Sequence, residues 1–264
     1  MYSVEDHTFI ICAYKQSQYL EERICSIISQ NKKSNVIIAT STPNKYIENL
    51  GKKYNIEVVV NNKQEGIAAD WNFAYSICKT ALVTLAHQDD IYGEKYTEEI
   101  LKNINQSKQP LIAFSNYAEL RGGLIIYRNK LLLVKRILLS PLKWSIFWNS
   151  IIVRRRVLSL GSAICCPSVT LVKNNLPSQV FSLGMKSNID WEAWEKISRM
   201  KGAFVYCAEV LMCHRIHEES TTTDIIRGGE RCKEDYMMFR KFWPNWFAVI
   251  WTKLYRYAEK NNKV

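Results

Sequence analysis

Ala81-Leu82-Val83-Thr84-Leu85-Ala86-His87-Gln88-Asp89-Asp90 is an apolar run that ends in two adjacent carboxylates. A short, continuous run of this kind reads as a strand buried on both faces. The carboxylates stand where such a strand must emerge, and ligands of open α/β sheets gather at that edge. Two like charges side by side repel unless a cation or a hydrogen-bond network holds them, and hard oxygen ligands suit Mg²⁺ or Mn²⁺. The other reading of Asp89 and Asp90 is as caps for a helix over 94–104, because acids favour helix N-termini.

Upstream of this run, strand and helix patterns alternate. Phe9-Ile10-Ile11-Cys12-Ala13 opens as a strand, and Leu20, Ile24, Ile27 and Ile28 follow at helical spacing. Val36-Ile37-Ile38-Ala39 is a second strand, and Thr42-Pro43 reads as the cap and first residue of a helix running to Gly51. Glu57–Val60 makes a third strand, and Gly66 precedes a helix carrying Ile67, Trp71, Ala74, Tyr75 and Cys78. Such alternation implies an α/β fold, a mostly parallel central sheet with helices on both faces. Further strands are expected at 111–115, 164–172 and 203–214, with a helix over 190–200.

A chain of 264 residues, 47% hydrophobic and 23% charged, can bury a full core, which sets aside disordered and fibrous classes. No run approaches the roughly 18 apolar residues of a membrane span, and Glu5 and Asp6 before the first strand do not fit a signal peptide. The expected location is therefore cytoplasmic. Eight cysteines without a Cys-x-x-Cys pair read as reduced core thiols. Cys207, Cys213, His214 and His217 invite a zinc reading, but their spacing fits none of the usual ligand patterns.

The formal charge of +11 has a location. No acid occurs between Glu119 and Asp190, an interval holding eleven Lys and Arg, and outside it the two signs balance. Within 121–160 the basic residues alternate with apolar clusters, Leu131-Leu132-Leu133-Val134 before Lys135-Arg136 and Trp144-Ser145-Ile146-Phe147-Trp148 before Arg154-Arg155-Arg156, with Pro141 dividing two short helices. Helices of this texture lie in the headgroup plane of an anionic membrane. The structural alternative is core packing with snorkelling Lys and Arg. Nucleic acid is the rival polyanion, and no nucleic-acid motif supports it. Phe242-Trp243-Pro244-Asn245-Trp246-Phe247 is a second interfacial candidate.

Several of these pieces together resemble glycosyltransferase family 2, enzymes of the GT-A fold that move a sugar from a nucleotide diphosphate donor. They are Phe9–Lys15 with Tyr19-Leu20-Glu21-Glu22, then Gly66–Asn72, His87-Gln88-Asp89-Asp90, Asp190-Trp191-Glu192-Ala193-Trp194, and His214-Arg215-Ile216-His217-Glu218-Glu219-Ser220-Thr221. The resemblance implies a GT-A domain over 1–223, including the basic apolar segment 121–160, and leaves 224–264 as a C-terminal helical extension. It implies nucleotide-sugar contacts from Ala13, Tyr14, Lys15, Ser41, Asp70 and Gln88, and a Mg²⁺ or Mn²⁺ site at Asp89, with Asp90 and His217 as further candidates. Thr40-Ser41-Thr42 replaces the acidic pair that commonly holds the base, and His87 replaces the usual first acid of the metal motif, so Asp90 either shares the ion or orients its loop.

An attacking hydroxyl has a high pKa and needs a positioned base. The resemblance places that base at Asp190, in an inverting single displacement, with Glu192 as its neighbour; the structural alternative is a capping box over Ser187–Asp190. The family also implies a lipid-linked saccharide acceptor whose pyrophosphate meets Arg154, Arg155 and Arg156, with Trp144 and Trp148 at the inner face of the cell membrane, in cell-surface polysaccharide assembly. A sugar nucleotidyltransferase would need a Gly-rich phosphate loop, and Tyr14-Lys15-Gln16-Ser17-Gln18 has no glycine. The rival from another class is a catalytically inactive GT-A-like module that binds membranes.

Overall fold

Parallel pairing begins where the apolar runs predict it. In the computed structural model, which describes residues 1–63, 66–217 and 230–261, β1 (His7–Ala13) lies between β2 (Asn35–Thr40) and β4 (Leu82–His87), and β3 (Glu57–Val60) pairs outside β2. The crossovers are α1 (Leu20–Ile28), α2 (Lys45–Tyr54) and α3 (Ile67–Ile77). The chain therefore steps outward from β1 to β3 and returns to the other side of β1 at β4. That reversal leaves a crevice beyond the carboxyl ends of β1 and β4, where α/β sheets take their ligands.

The remaining strands complete one sheet in the order β3-β2-β1-β4-β8-β6-β9-β5 among the described residues. β8 (Val169–Val172) runs antiparallel between β4 and β6 (Pro110–Arg121), β6 is parallel to β9 (Ala203–Ile216), β5 (Ile91–Tyr92) is antiparallel to β9, and β7 (Leu124–Ile126) forms a hairpin with β6. Helix α4 (Tyr96–Ile104) packs on this half, followed by α5 (Lys130–Leu139), α6 (Ile151–Leu158), α7 (Ile189–Ser198), α8 (Glu230–Arg240) and α9 (Asn245–Asn261).

Inside the sheet, buried polar groups are satisfied in a chain. His7 bonds Ser34 and Thr84 at 2.8 Å each, Thr84 bonds Thr170 at 2.6 Å, and Tyr96 reaches Thr170 at 3.2 Å. Burial pushes the His7 imidazole down to about 3, so it is neutral in the fold.

Several expectations need correction. Helix α2 starts at Lys45, because Asn44 accepts the Ile47 N–H at 3.0 Å while the Thr42 hydroxyl is taken by the Lys15 N–H at 2.5 Å. β6 reaches Arg121, since β9 pairs with it to the end. Residues 164–172 contain only the short β8, preceded by a 3-10 turn over Cys166–Ser168. Pro141 does separate α5 from α6, but the connection is two further 3-10 turns, Ser140–Lys143 and Ser145–Phe147. The eight cysteines are free. The imagined zinc set is not assembled: among the described residues the ligand-type side chains grouped in threes are Glu99, Cys207 and Glu209.

Candidate active site

The crevice is a cleft of about 680 Å³, a volume suited to a small-molecule ligand. Ala13, Tyr14, Ser41, Asp70, Gln88 and Asp89 line it from the N-terminal strands, and Asp190 lines it from α7. Two carboxylates expected to do different chemistry, Asp89 and Asp190, thus face one space although a hundred residues separate them.

Asp89 and Asp90 leave β4 in opposite roles. Asp90 is buried, and its Oδ1 accepts from His214 Nδ1 at 2.8 Å and from the Arg215 N–H at 2.9 Å. Asp90 is absent from the cleft lining, and its carboxylate clamps the acidic loop to the end of β9. Neither acid caps α4, because β5 intervenes and Lys95 holds the cap position. Asp89 turns toward the cleft, and its Oδ2 meets His217 Nε2 at 3.0 Å. Burial opposes ionisation of Asp89, but the His217 hydrogen bond and the imidazoles of His87, His214 and His217 overcome it and hold the carboxyl at about 2. An ionised carboxylate beside an imidazole nitrogen is a donor pair that suits Mn²⁺ completed by non-protein ligands, whereas Mg²⁺ would take the carboxylate and leave the imidazole aside. Glu218 to Thr221, the end of the closing motif, lie outside the described residues.

Sequence reading missed the residues that fix this loop. Arg23, buried on α1, donates through Nε to the His87 carbonyl at 2.7 Å and lies 4.1 Å from the Tyr92 ring centroid. Arg215 donates to the Asp89 carbonyl at 2.7 Å and to Glu22 at 2.5 Å. Only a register that pairs β5 with β9 brings these groups together, and local spacing does not show it. His87 stacks on Trp71 with centroids 4.9 Å apart, and burial lowers its pKa while Asp90 and Asp89 work against that fall.

The neighbouring wall is tied by short polar contacts. Asp70 accepts from Ser41 Oγ at 2.8 Å and from Asn61 Nδ2 at 2.9 Å, joining the ends of β2 and β3 to α3. Gln88 accepts the Tyr14 N–H at 2.8 Å, joining the loops after β1 and β4. Lys15 stands outside the cleft lining, on an exposed turn at φ 53°, with its ammonium 5.2 Å from the Tyr14 ring centroid.

Asp190, also in the cleft lining, accepts among the described residues only the N–H of Trp191, at 2.7 Å. Burial raises its pKa above the usual carboxylate range, with the Trp191 hydrogen bond, Lys135, Arg231 and His87 working against that rise. The capping box is not formed: Ser187 and the backbone N–H groups of Lys186, Ser187 and Asn188 all donate to Glu234 of α8, at 2.6 to 2.9 Å. Asn188 also donates to Asp235 at 2.8 Å. The C-terminal helices therefore hold the turn that presents Asp190. Glu192, the alternative base, points away from the cleft and pairs with Lys241 at 3.0 Å and Lys196 at 3.4 Å.

The arginine cluster does not act as one surface. Arg154 is fully buried, donating to the carbonyls of Gly202 at 2.5 Å and Met200 at 2.7 Å, which removes it from any membrane or acceptor. Helical spacing sends its neighbours elsewhere: Arg155 pairs with Glu195 at 2.5 Å, and Arg156 lies 4.9 Å from the Trp243 ring centroid. Trp148 is buried with its indole N–H on the Leu142 carbonyl, whereas Trp144 is exposed.

The Glycosyl transferase family 2 profile matches residues 8–174. No curated protein sequence matches the chain. S. aureus TarS in complex with UDP-GlcNAc superposes with a TM-score of 0.63 at 11% identity, over 92% of this chain and 69% of that one. The mannosyltransferase PcManGT from Pyrobaculum calidifontis, in complex with GDP-Man and Mn²⁺, gives 0.63 at 14% identity over 95% and 70%. Glucosyl-3-phosphoglycerate synthase from Mycobacterium tuberculosis, with Mn²⁺, UDP and phosphoglyceric acid, gives 0.61 at 13% over 91% and 80%. At such identities the likeness shows the fold, which is GT-A. The profile match spans well over half the chain and includes the strand, the acidic loop and the wall around Asp70, so the protein belongs to Glycosyl transferase family 2.

Proposed function

We propose that this protein is an inverting, metal-dependent glycosyltransferase that moves a sugar from a nucleoside diphosphate donor to a hydroxyl of a saccharide acceptor. The observation that carries the reading is the placement of Asp89 and Asp190 in the lining of one cleft at the switch point of the sheet. Similar folds solved with UDP-GlcNAc and with GDP-Man and Mn²⁺ support the donor class and the ion.

Asp89 and His217 are the residues that hold a divalent cation, and when bound it stabilises the negative charge that builds on the departing diphosphate. Ala13, Tyr14, Ser41, Asp70 and Gln88 form the wall for the nucleotide. Ser41 and Asp70 offer hydrogen bonds to the base, Ser41 from the Thr40-Ser41-Thr42 stretch that stands where the family commonly carries an acidic pair. Asp190 takes the proton of the attacking hydroxyl, and its raised pKa makes it a better base than an exposed carboxylate once ionised.

The finer reading is a lipid-linked acceptor met at the inner face of a membrane, in cell-surface polysaccharide assembly. Among the described residues no helix is long and apolar enough to cross a membrane. Support for peripheral contact comes from α5 to α6, where Leu133, Val134, Ile137, Trp144, Ile146 and Ile152 are all more than half exposed within the acid-free interval. The inactive-module alternative leaves the cleft, its ionised Asp89 and its carboxylate pair without a role.

A thermal-shift panel of nucleoside diphosphates with and without Mn²⁺ tests the reading, since a tight ligand raises the melting temperature by linkage. One nucleotide stabilising the protein only with Mn²⁺ is the expected result; no shift with any nucleotide rejects it.

A further inference from the structure

Lys135 belongs by sequence to the basic apolar segment, yet it is turned inward. On α5, Leu133, Val134 and Ile137 point to solvent, while Lys135 lines the cleft and donates from Nζ to the Tyr117 hydroxyl at 2.9 Å. The other inward-facing cations of the acid-free interval have carboxylate or carbonyl partners. Arg155 has Glu195, Arg121 has Glu119, Arg136 has the Tyr117 carbonyl, Arg154 has two carbonyls, and Lys173 has the Cys78 carbonyl. Lys135 has a neutral phenol and no carboxylate within ion-pair distance among the described residues. A partly buried ammonium hydrogen-bonded to a phenol has given up hydration that an anion entering the cleft can replace.

Position indicates which anion. Lys135 and Arg231 lie close enough to Asp190 to act on its charge. Lys186 and Arg231 line the same cleft. Lys135 and Arg231 thus stand in the cleft beside the proposed base. We propose that Lys135, with Lys186 and Arg231 beside it, forms a subsite for a phosphate group carried by the acceptor. The proposal rests on the sugar-transfer reading for the word acceptor, but the subsite itself is read from the cations. The phosphate belongs either to a soluble phosphate ester or to a lipid headgroup.

Calorimetric titrations of wild type, Lys135→Met and Lys135→Arg separate these. Each protein is titrated with the nucleotide chosen by the thermal-shift panel, and then with sn-glycerol 3-phosphate or with phosphatidylcholine vesicles containing phosphatidic acid, both with nucleotide present and without it. The expected result is phosphate binding by wild type, at least tenfold weaker in Lys135→Met and restored in Lys135→Arg, with nucleotide affinity within twofold throughout. Binding of glycerol 3-phosphate assigns a soluble ester; binding only on vesicles assigns a lipid. Lack of binding to either probe, or equal binding by Lys135→Met, overturns the subsite. A tenfold loss of nucleotide affinity in Lys135→Met also overturns it, since Lys135 then serves the donor. Failure of every nucleotide to bind rejects the sugar-transfer reading, while the titrations without nucleotide still decide the subsite.

Discussion

The two walls of the cleft are built differently. The wall of Ala13, Ser41, Asp70 and Asp89 consists of regular βα units, each group standing at the end of a strand or the start of a helix. The other wall, with Lys135 and Asp190, is assembled from α5, the turn before α7 with the start of that helix, and the C-terminal helices, and its order comes from side chains such as Glu234 that reach across the sequence. The first wall follows from local pattern, and the second exists only once distant segments have packed.

The largest effect expected from that contrast is at Asp190. Asp190→Asn should lower turnover by about 10³-fold, the scale of a lost general base, while Glu192→Gln changes it by less than about threefold. Stability should not follow activity. Because folding raises the Asp190 pKa, ionisation costs the folded state; the cost is absent below the unfolded value and full above the folded one. At neutral pH the asparagine should therefore melt no lower than wild type. Equal loss of activity and melting temperature would make Asp190 structural.

Asp90 should show the reverse. Asp90→Ala leaves His214 without its buried partner and should cost about 3 kcal/mol in denaturant unfolding, whereas Asp89→Ala, which loses the partly exposed His217 pair, should cost about 1–2 kcal/mol. If the two adjacent acids destabilise equally, the division of roles between them is wrong.

Smaller effects sharpen how the second wall is held. Glu234→Gln weakens the carboxylate that gathers three backbone N–H groups and should cost about 1–2 kcal/mol, with turnover falling about tenfold because Asp190 loses its fixed turn. The pH profile of turnover should have its acid limb above the ordinary carboxylate value of about 3.9, falling roughly tenfold per unit below it. Ile152→Glu on the exposed face should reduce pelleting with anionic vesicles by about half while shifting stability by less than about 0.5 kcal/mol.

The same contrast explains what the sequence revealed. The order of β1 to β4, the emergence of Asp89 and the polar wall at Ser41 and Asp70 were legible because apolar period and motif spacing act over a few residues. Asp190 was legible through family resemblance, but its environment was not, since Ser187 bonds Glu234 rather than completing the capping box that the spacing suggests. Arg154, Arg155 and Arg156 read as one cationic cluster, and the helix sends them in three directions, one into the core. Lys135 read as a surface charge, and the face of α5 that packs inward was decided by Leu132 and Leu139, which four consecutive apolar residues at 131–134 did not distinguish. β5, two residues long, has no periodicity to read, yet its pairing with β9 sets the acidic loop.

The central claim is that Asp89 holds a cation for a nucleoside diphosphate while Asp190 works on the acceptor. Its most direct test is calorimetric binding of the selected nucleotide with and without Mn²⁺ to wild type, Asp89→Asn and Asp190→Asn. The expected result is that Mn²⁺ tightens binding at least tenfold in wild type and in Asp190→Asn but not in Asp89→Asn. A Mn²⁺ enhancement that survives in Asp89→Asn, or disappears in Asp190→Asn, would contradict it.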